Sequence, residues 1–336
     1  MNKLFPILLT FAVTLSVAAE PAGGTSAAGE KNFLQQAMEA INDSKILYSV
    51  KFLEKPIPLP DRSALLTGFA YQVKTDKGIV YKGFDPQGEA KKLYHAAELD
   101  FESHKFAAAR EKYKRVMLQD PSQTWMMTFV AQTYGIEKKF NEAESWYKKS
   151  IEANYIDYLA HWLLADIYML KGEKEKAVSE ISIAKVLNRN NPKLERKRKE
   201  IYAANGLDSS SWTFHPQMRL EKTEPMKVVI EADSVWMYYA VLKAAWEFEP
   251  GYREKKMKNA KRADLETLES LEAIILPNLQ KDIPLAKRLD KALNAGKLDE
   301  FVFFEMVLLD HPFRAFYLDS KEIQSLADYL VFMAKK

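Results

Sequence analysis

Between residues 88 and 205 the apolar positions fall at helical spacing, and the pattern then repeats itself. Shifted by 34 residues, Ala97, Ala131 and Ala165 superpose, as do Ala109, Ala143 and Ala177. Tyr113 and Tyr147 share a third column with Ile181. Phe106 and Phe140 share a fourth with Lys174, and Tyr134 and Tyr168 a fifth, in which the first unit has Asp100. Two antiparallel helices pack closely only where one side chain at the crossing is small. Alanine at two fixed places per unit therefore predicts a helical hairpin. The aromatic columns fill the space between neighbouring hairpins. One hairpin cannot bury both of its faces, so the units must stack.

The flanks read differently. Asn32–Asp43 carries Phe33, Leu34, Ala37, Met38 and Ile41 at helical spacing. Pro56, Pro58 and Pro60 force an extended stretch, because each proline excludes helix from the residue before it. Phe69–Val73 and Ile79–Tyr81 flank Thr75-Asp76-Lys77-Gly78, the pattern of a β-hairpin. Asn191-Pro192 opens a highly charged helix, Lys193–Ala203, that reads as a solvated cap on the stack. The period is lost from Leu207 to Lys336, a mainly helical stretch with a short strand at Met226–Glu231. Asp233–Phe248 is apolar nearly all round and is expected at the centre of that core. Further helices follow around Leu265–Leu279, disturbed at Pro277, around Leu285–Leu293 and around Leu298–Leu309. A last helix is opened by the capping pair Asp319 and Glu322.

The repeat resembles the tetratricopeptide repeat (TPR) family. Its pattern is matched by Val130-Ala131-x-x-Tyr134 with Ala143-x-x-x-Tyr147, and by Leu164-Ala165-x-x-Tyr168, Gly172 and Ala177-x-x-x-Ile181. It is also matched by Ala96-Ala97, Phe106, Ala109-x-x-x-Tyr113 and Pro121. Tyr155 stands where repeat two should close on proline, and Pro192 falls three residues late in repeat three. The resemblance implies a mainly α protein: a TPR-type solenoid of three hairpins plus a capping helix over residues 88–206. A small mixed segment (20–87) precedes it and a helical domain (207–336) follows it. It also implies that the first helix of each hairpin lines a concave groove for a protein or peptide. Carried over position by position, that groove holds Tyr94, Glu98 and Phe101, then Trp125, Phe129 and Gln132, then Trp162, Asp166 and Met169. His95, Glu102, Thr128, Ile136, Leu159 and Leu163 lie beside them. Such an aromatic strip usually meets a partner. The competing expectation is that the chain's own flanks cover it.

Composition narrows the functions. With 49 basic and 46 acidic residues the net charge is +3, which offers no basic face for nucleic acid. Met1–Lys3, the apolar run Leu4–Val17 and the small residues Val17-Ala18-Ala19 read as a cleavable signal peptide over residues 1–19. Removing it leaves about +2 by that count and no spanning segment. The expected setting is the bacterial periplasm or the medium. With no cysteine there is no lipid-anchor site, disulfide or thiolate metal site, and no cofactor is expected. None of the five histidines, His95, His104, His161, His215 and His311, lies three or four residues from another, so no helical metal pair forms. No catalytic motif is present. The expected role is an exported scaffold of the cell envelope rather than an enzyme. Two readings stand beside it. One is an envelope-polymer hydrolase using Glu247, Glu249, Asp310 and His311 in the C-terminal half. The other is self-association through the repeats.

Overall fold

The computed structural model describes residues 32–62, 64–258, 264–278 and 283–335. The expected signal peptide (1–19) and residues 20–31 of the segment after it lie outside these residues.

Seven helices build the array: α2 (Gly88–Glu102), α3 (Phe106–Gln119), α4 (Met126–Ile136), α5 (Phe140–Ala153), α6 (Tyr158–Lys171), α7 (Lys174–Leu187) and α8 (Pro192–Ala204). Each packs against the next, and α4 also touches α6. All six alanines of the two sequence columns are fully buried at these crossings. The period also governs the backbone. His104, Lys138 and Gly172, spaced by 34, each take a positive φ at the turn between the helices of a hairpin, at 58°, 59° and 78°. Only glycine does this without steric cost. Between repeats two and three, Asp157 is buried at the start of α6. Its carboxylate accepts hydrogen bonds from Thr128 Oγ1 (2.6 Å), Ser150 Oγ (3.1 Å) and the amides of Leu159 and Ala160. Burial pushes its pKa up, against the pull of those donors. Thr128 is thus spent on packing and is not a groove residue.

The flanks are not separate modules. After α1 (Phe33–Asn42), held by an Asn32/Gln35 capping box, the chain forms β1 (Leu47–Phe52). β1 pairs in parallel with β5 (Lys227–Ala232), which pairs antiparallel with β4 (Met218–Glu224), giving the sheet order β1-β5-β4. β2 (Ala70–Thr75) and β3 (Gly78–Gly83) form the expected hairpin. The expected strand at Met226–Glu231 is β5, whereas neither β1 nor β4 was expected from the sequence. Val228, Ile230 and Ala232 alternate inward on β5 and meet α9 (Met237–Phe248), whose Ala240 and Ala244 are buried beside them. Asp233 precedes α9 and caps a turn through the amides of Val235 and Trp236.

Then come α10 (Pro250–Lys258), α11 (Leu265–Asn278) and α12 (Pro284–Asn294); Pro277 lies in the last described turn of α11. α13 consists of Leu298–Phe301, a π-helical turn Val302–Val307 and Leu308–Asp310. A 3-10 turn (Pro312–Tyr317) leads to α14 (Ser320–Ala334), opened by the Asp319/Glu322 capping box. α14 packs along α7, and Ile183, Val186 and Leu187 of α7 share one core with Ile230, Leu271, Phe301, Phe316 and Ile323. The third hairpin therefore belongs to the array and to the C-terminal half at once.

Candidate functional site

The first helices of successive hairpins, α2, α4 and α6, present one face, and α8 continues it. Pro192 follows Tyr158 by one period, and Tyr202 continues the column of Tyr134 and Tyr168. The entrance to this face, where α4 and α6 begin, is closed by the chain itself. Phe69 stacks on Tyr158 (5.7 Å between centroids, 7° between planes). It leans on Trp125 (5.3 Å) and sets its ring edge-on to Phe129. Phe84, returning from the β2–β3 hairpin, stacks on the Trp125 ring at 5.3 Å. Trp125 is left only 7% exposed, and its indole N–H donates to Gln123. Polar contacts fix this strap: Thr67 Oγ1 donates to the Leu187 carbonyl, and Asn154 donates to the Ala70 carbonyl. Trp125, expected in the groove, is therefore core, and Phe129 packs chiefly against Phe69, Tyr94, Tyr113 and Trp125.

The far half, toward the C-terminal ends of α2, α4 and α6, is different. Phe101, Gln132, Asp166 and Met169 are half-buried, as is Trp162 nearer the start of α6. Ile136 and Leu170, one period apart, are 48% and 65% exposed. Down the centre runs a polar column at the same spacing, Glu98, Gln132, Asp166 and Glu200. Glu98 accepts a hydrogen bond from Tyr113 Oη at 2.5 Å. Burial, then Glu98, drives the Tyr113 pKa far up, and the same two causes raise that of Tyr94. Lys197 of α8 bridges Asp166 and Glu200, both at 3.1 Å. Burial raises the Asp166 pKa, and Lys197 offsets only part of it. Sequence reasoning missed Lys197 because α8 was read as a bare cap. Its period match to α6 is the signal that could have placed it on this face.

The hydrolase candidates are not brought together. Glu249 accepts a hydrogen bond from Tyr48 Oη, Asp310 pairs with Arg62 at 2.7 Å, and Glu247 and His311 are exposed. Among the described residues no two of these four share a hydrogen bond, and no cluster of three His, Asp or Glu side chains could hold a metal. No described helix is long and apolar enough to cross a membrane.

No protein-family model matches the chain, and no curated protein matches it in sequence. Among solved structures it is similar to the first TPR of Spaghetti (RPAP3) bound to an HSP90 peptide. The identity there is 24%, covering 36% of this chain and 96% of that one, with a TM-score of 0.33. It is also similar to SycD of Yersinia enterocolitica in complex with a peptide of the translocator YopD (15% identity, 36% and 99% coverage, TM-score 0.33). A third is YrrB, described as a TPR protein with an unusual peptide-binding site (16% identity, 60% and 92% coverage, TM-score 0.31). By its own geometry, hairpins stacked at a fixed period with buried alanines at the crossings, the array is a TPR-type α-solenoid.

Proposed function

We propose that this protein is an exported scaffold of the cell envelope that holds a segment of a partner protein in the far half of the repeat face. The observation that carries the reading is the exposed apolar pair Ile136 and Leu170, set one period apart at the same end of the face as the half-buried Phe101 and Met169. Apolar side chains left open beside a ready-made floor are the usual anchor points of a partner segment. The polar column alongside, in which Glu98, Asp166 and Glu200 outnumber Lys197, suits a segment that carries basic as well as apolar residues. The signal-peptide pattern of residues 1–19 supports export. The strap of Phe69 and Phe84 limits the partner to the half it leaves open.

The test is photocrosslinking in intact cells from probes at positions 136 and 170, with position 115, on the second helix of a hairpin, as control. A discrete protein adduct is expected from the first two and not from the third. It should disappear in a double variant, Ile136→Glu with Leu170→Glu, that keeps its helical circular dichroism. Adducts that are equal at all three positions, or that survive the double variant, remove the groove as the site. N-terminal sequencing of the protein from the periplasmic fraction should read from Glu20.

A further inference from the structure

Where α7 and α8 meet the C-terminal half there is a cavity of about 50 Å³. One water occupies roughly 10–15 Å³ by this measure, so a few heavy atoms fit and a nucleotide or peptide does not. Four cations line it: Lys185 from α7, Arg189 from the turn that follows it, Arg198 from α8 and Arg288 from α12. The first three are nearly inaccessible to solvent. Three carboxylates face them, Glu195, Glu305 and Asp208, so the group carries one positive charge in surplus. Cations are rarely buried without matching partners.

The carboxylates are already engaged. Glu195 takes Lys185 at 2.9 Å and both Nε and a terminal nitrogen of Arg198. Glu305 takes Arg189 at 3.0 Å, Arg288 at 3.2 Å and the Tyr329 hydroxyl. Asp208, at the rim, accepts from the amide and hydroxyl of Ser210. One donor is left over: Arg288 Nε is buried and has no acceptor. An orphaned buried donor in a native fold asks for a reason. The wall is itself unusual. Glu305 and Phe304 belong to the π-helical turn of α13, and the Phe304 carbonyl accepts from Arg189 Nε. π-Helical turns concentrate at functional sites.

We infer that this cavity is a binding site for a small oxyanion, of the size and chemistry of phosphate, sulfate or a carboxylate, held chiefly by Arg288 with Lys185 and Arg198. Such an anion offsets the surplus positive charge, gives Arg288 Nε its acceptor and fits the volume. Arg288 also lies over the Trp212 ring at 4.7 Å, which holds the guanidinium in place. Lys185 is the group that answers to pH. Burial, then Arg189, pushes its pKa down to about 8, with Glu195 opposing and Arg198 adding to the fall. An anion favours the charged lysine, so binding takes up protons near pH 8 and weakens as pH rises through it. The site is separate from the repeat face and goes beyond the scaffold reading.

The experiment is isothermal titration calorimetry of the full mature chain with potassium phosphate at pH 7 and fixed ionic strength, repeated with sulfate, acetate and chloride. One saturable site is expected for at least one oxyanion and none for chloride. Arg288→Met should weaken it at least tenfold. Asp208→Asn, which removes the negative rim, should tighten it. At pH 8 the heat should depend on the ionisation enthalpy of the buffer. Arg288 has a side chain 21% exposed at the cavity edge, so its variant should fold. If it does not, Asp208→Asn tests the same site from the opposite direction. No saturable heat with any oxyanion, equal heat with chloride, or wild-type affinity in both variants overturns the proposal.

Discussion

Helices α3 and α7 hold the same place in the first and third hairpins, yet they live in different surroundings. Each is 14 residues long and each carries the periodic alanine, Ala109 or Ala177, at its crossing. On α3 the residues one face further round are solvent-exposed: Arg115, and Leu118 at 80% exposure. Two periods on, the same positions are Ile183 and Val186, and Val186 is 0% exposed. The difference is α14, which lies along the outer face of α7; among the described residues no helix packs over α3 in the same way. A repeat position thus fixes the crossing with the neighbouring helix and leaves the outer face to whatever the rest of the chain supplies.

Breaking the third hairpin where it is shared should therefore cost most. Ile183→Arg drives an unpaired charge into the common core and should lose more than about 4 kcal/mol. The reverse change in the first hairpin, Arg115→Ile, should stay within about 0.5 kcal/mol. Urea denaturation of the two variants measures both, and similar losses would show that the outer faces are equivalent after all. Next in size, Val186→Ala should cost about 1.5–3 kcal/mol and Leu118→Ala almost nothing, read as the shift in urea midpoint. Smallest is the turn that precedes each helix. His104 holds φ at 58° and Gly172 at 78°. His104→Gly should stabilise by up to about 1 kcal/mol and Gly172→Ala should destabilise by about as much, as seen in thermal unfolding.

What the sequence disclosed follows the same division. The six alanines, the hairpin turn after Thr75, the central helix around Leu242 and the Asp319/Glu322 cap are set by neighbours close along the chain, so spacing reveals them. Trp125 was misplaced because the rings that bury it, Phe69 and Phe84, come from a segment outside the period. β1 escaped notice because its outer residues, Leu47, Val50 and Phe52, stay exposed on both sides of an edge strand and show no clean alternation. β4 is polar along most of its length for the same reason. Of the cavity charges only those on Lys193–Ala203 drew attention in the sequence, as a solvated cap. What makes them a group is the approach of α12, α13 and α14 to α7 and α8, which no local pattern encodes.

The parallel pairing of β1 with β5 joins Leu47 to Lys227, with the entire array strung between them. No ribosome can complete that sheet before residue 232 has been made, and closing so long a loop is among the slower acts a chain performs. The hairpins, built from near neighbours, can form while synthesis continues; the strand that precedes them must wait. A chain whose first and last thirds meet so late stays open for longer than its helical content suggests.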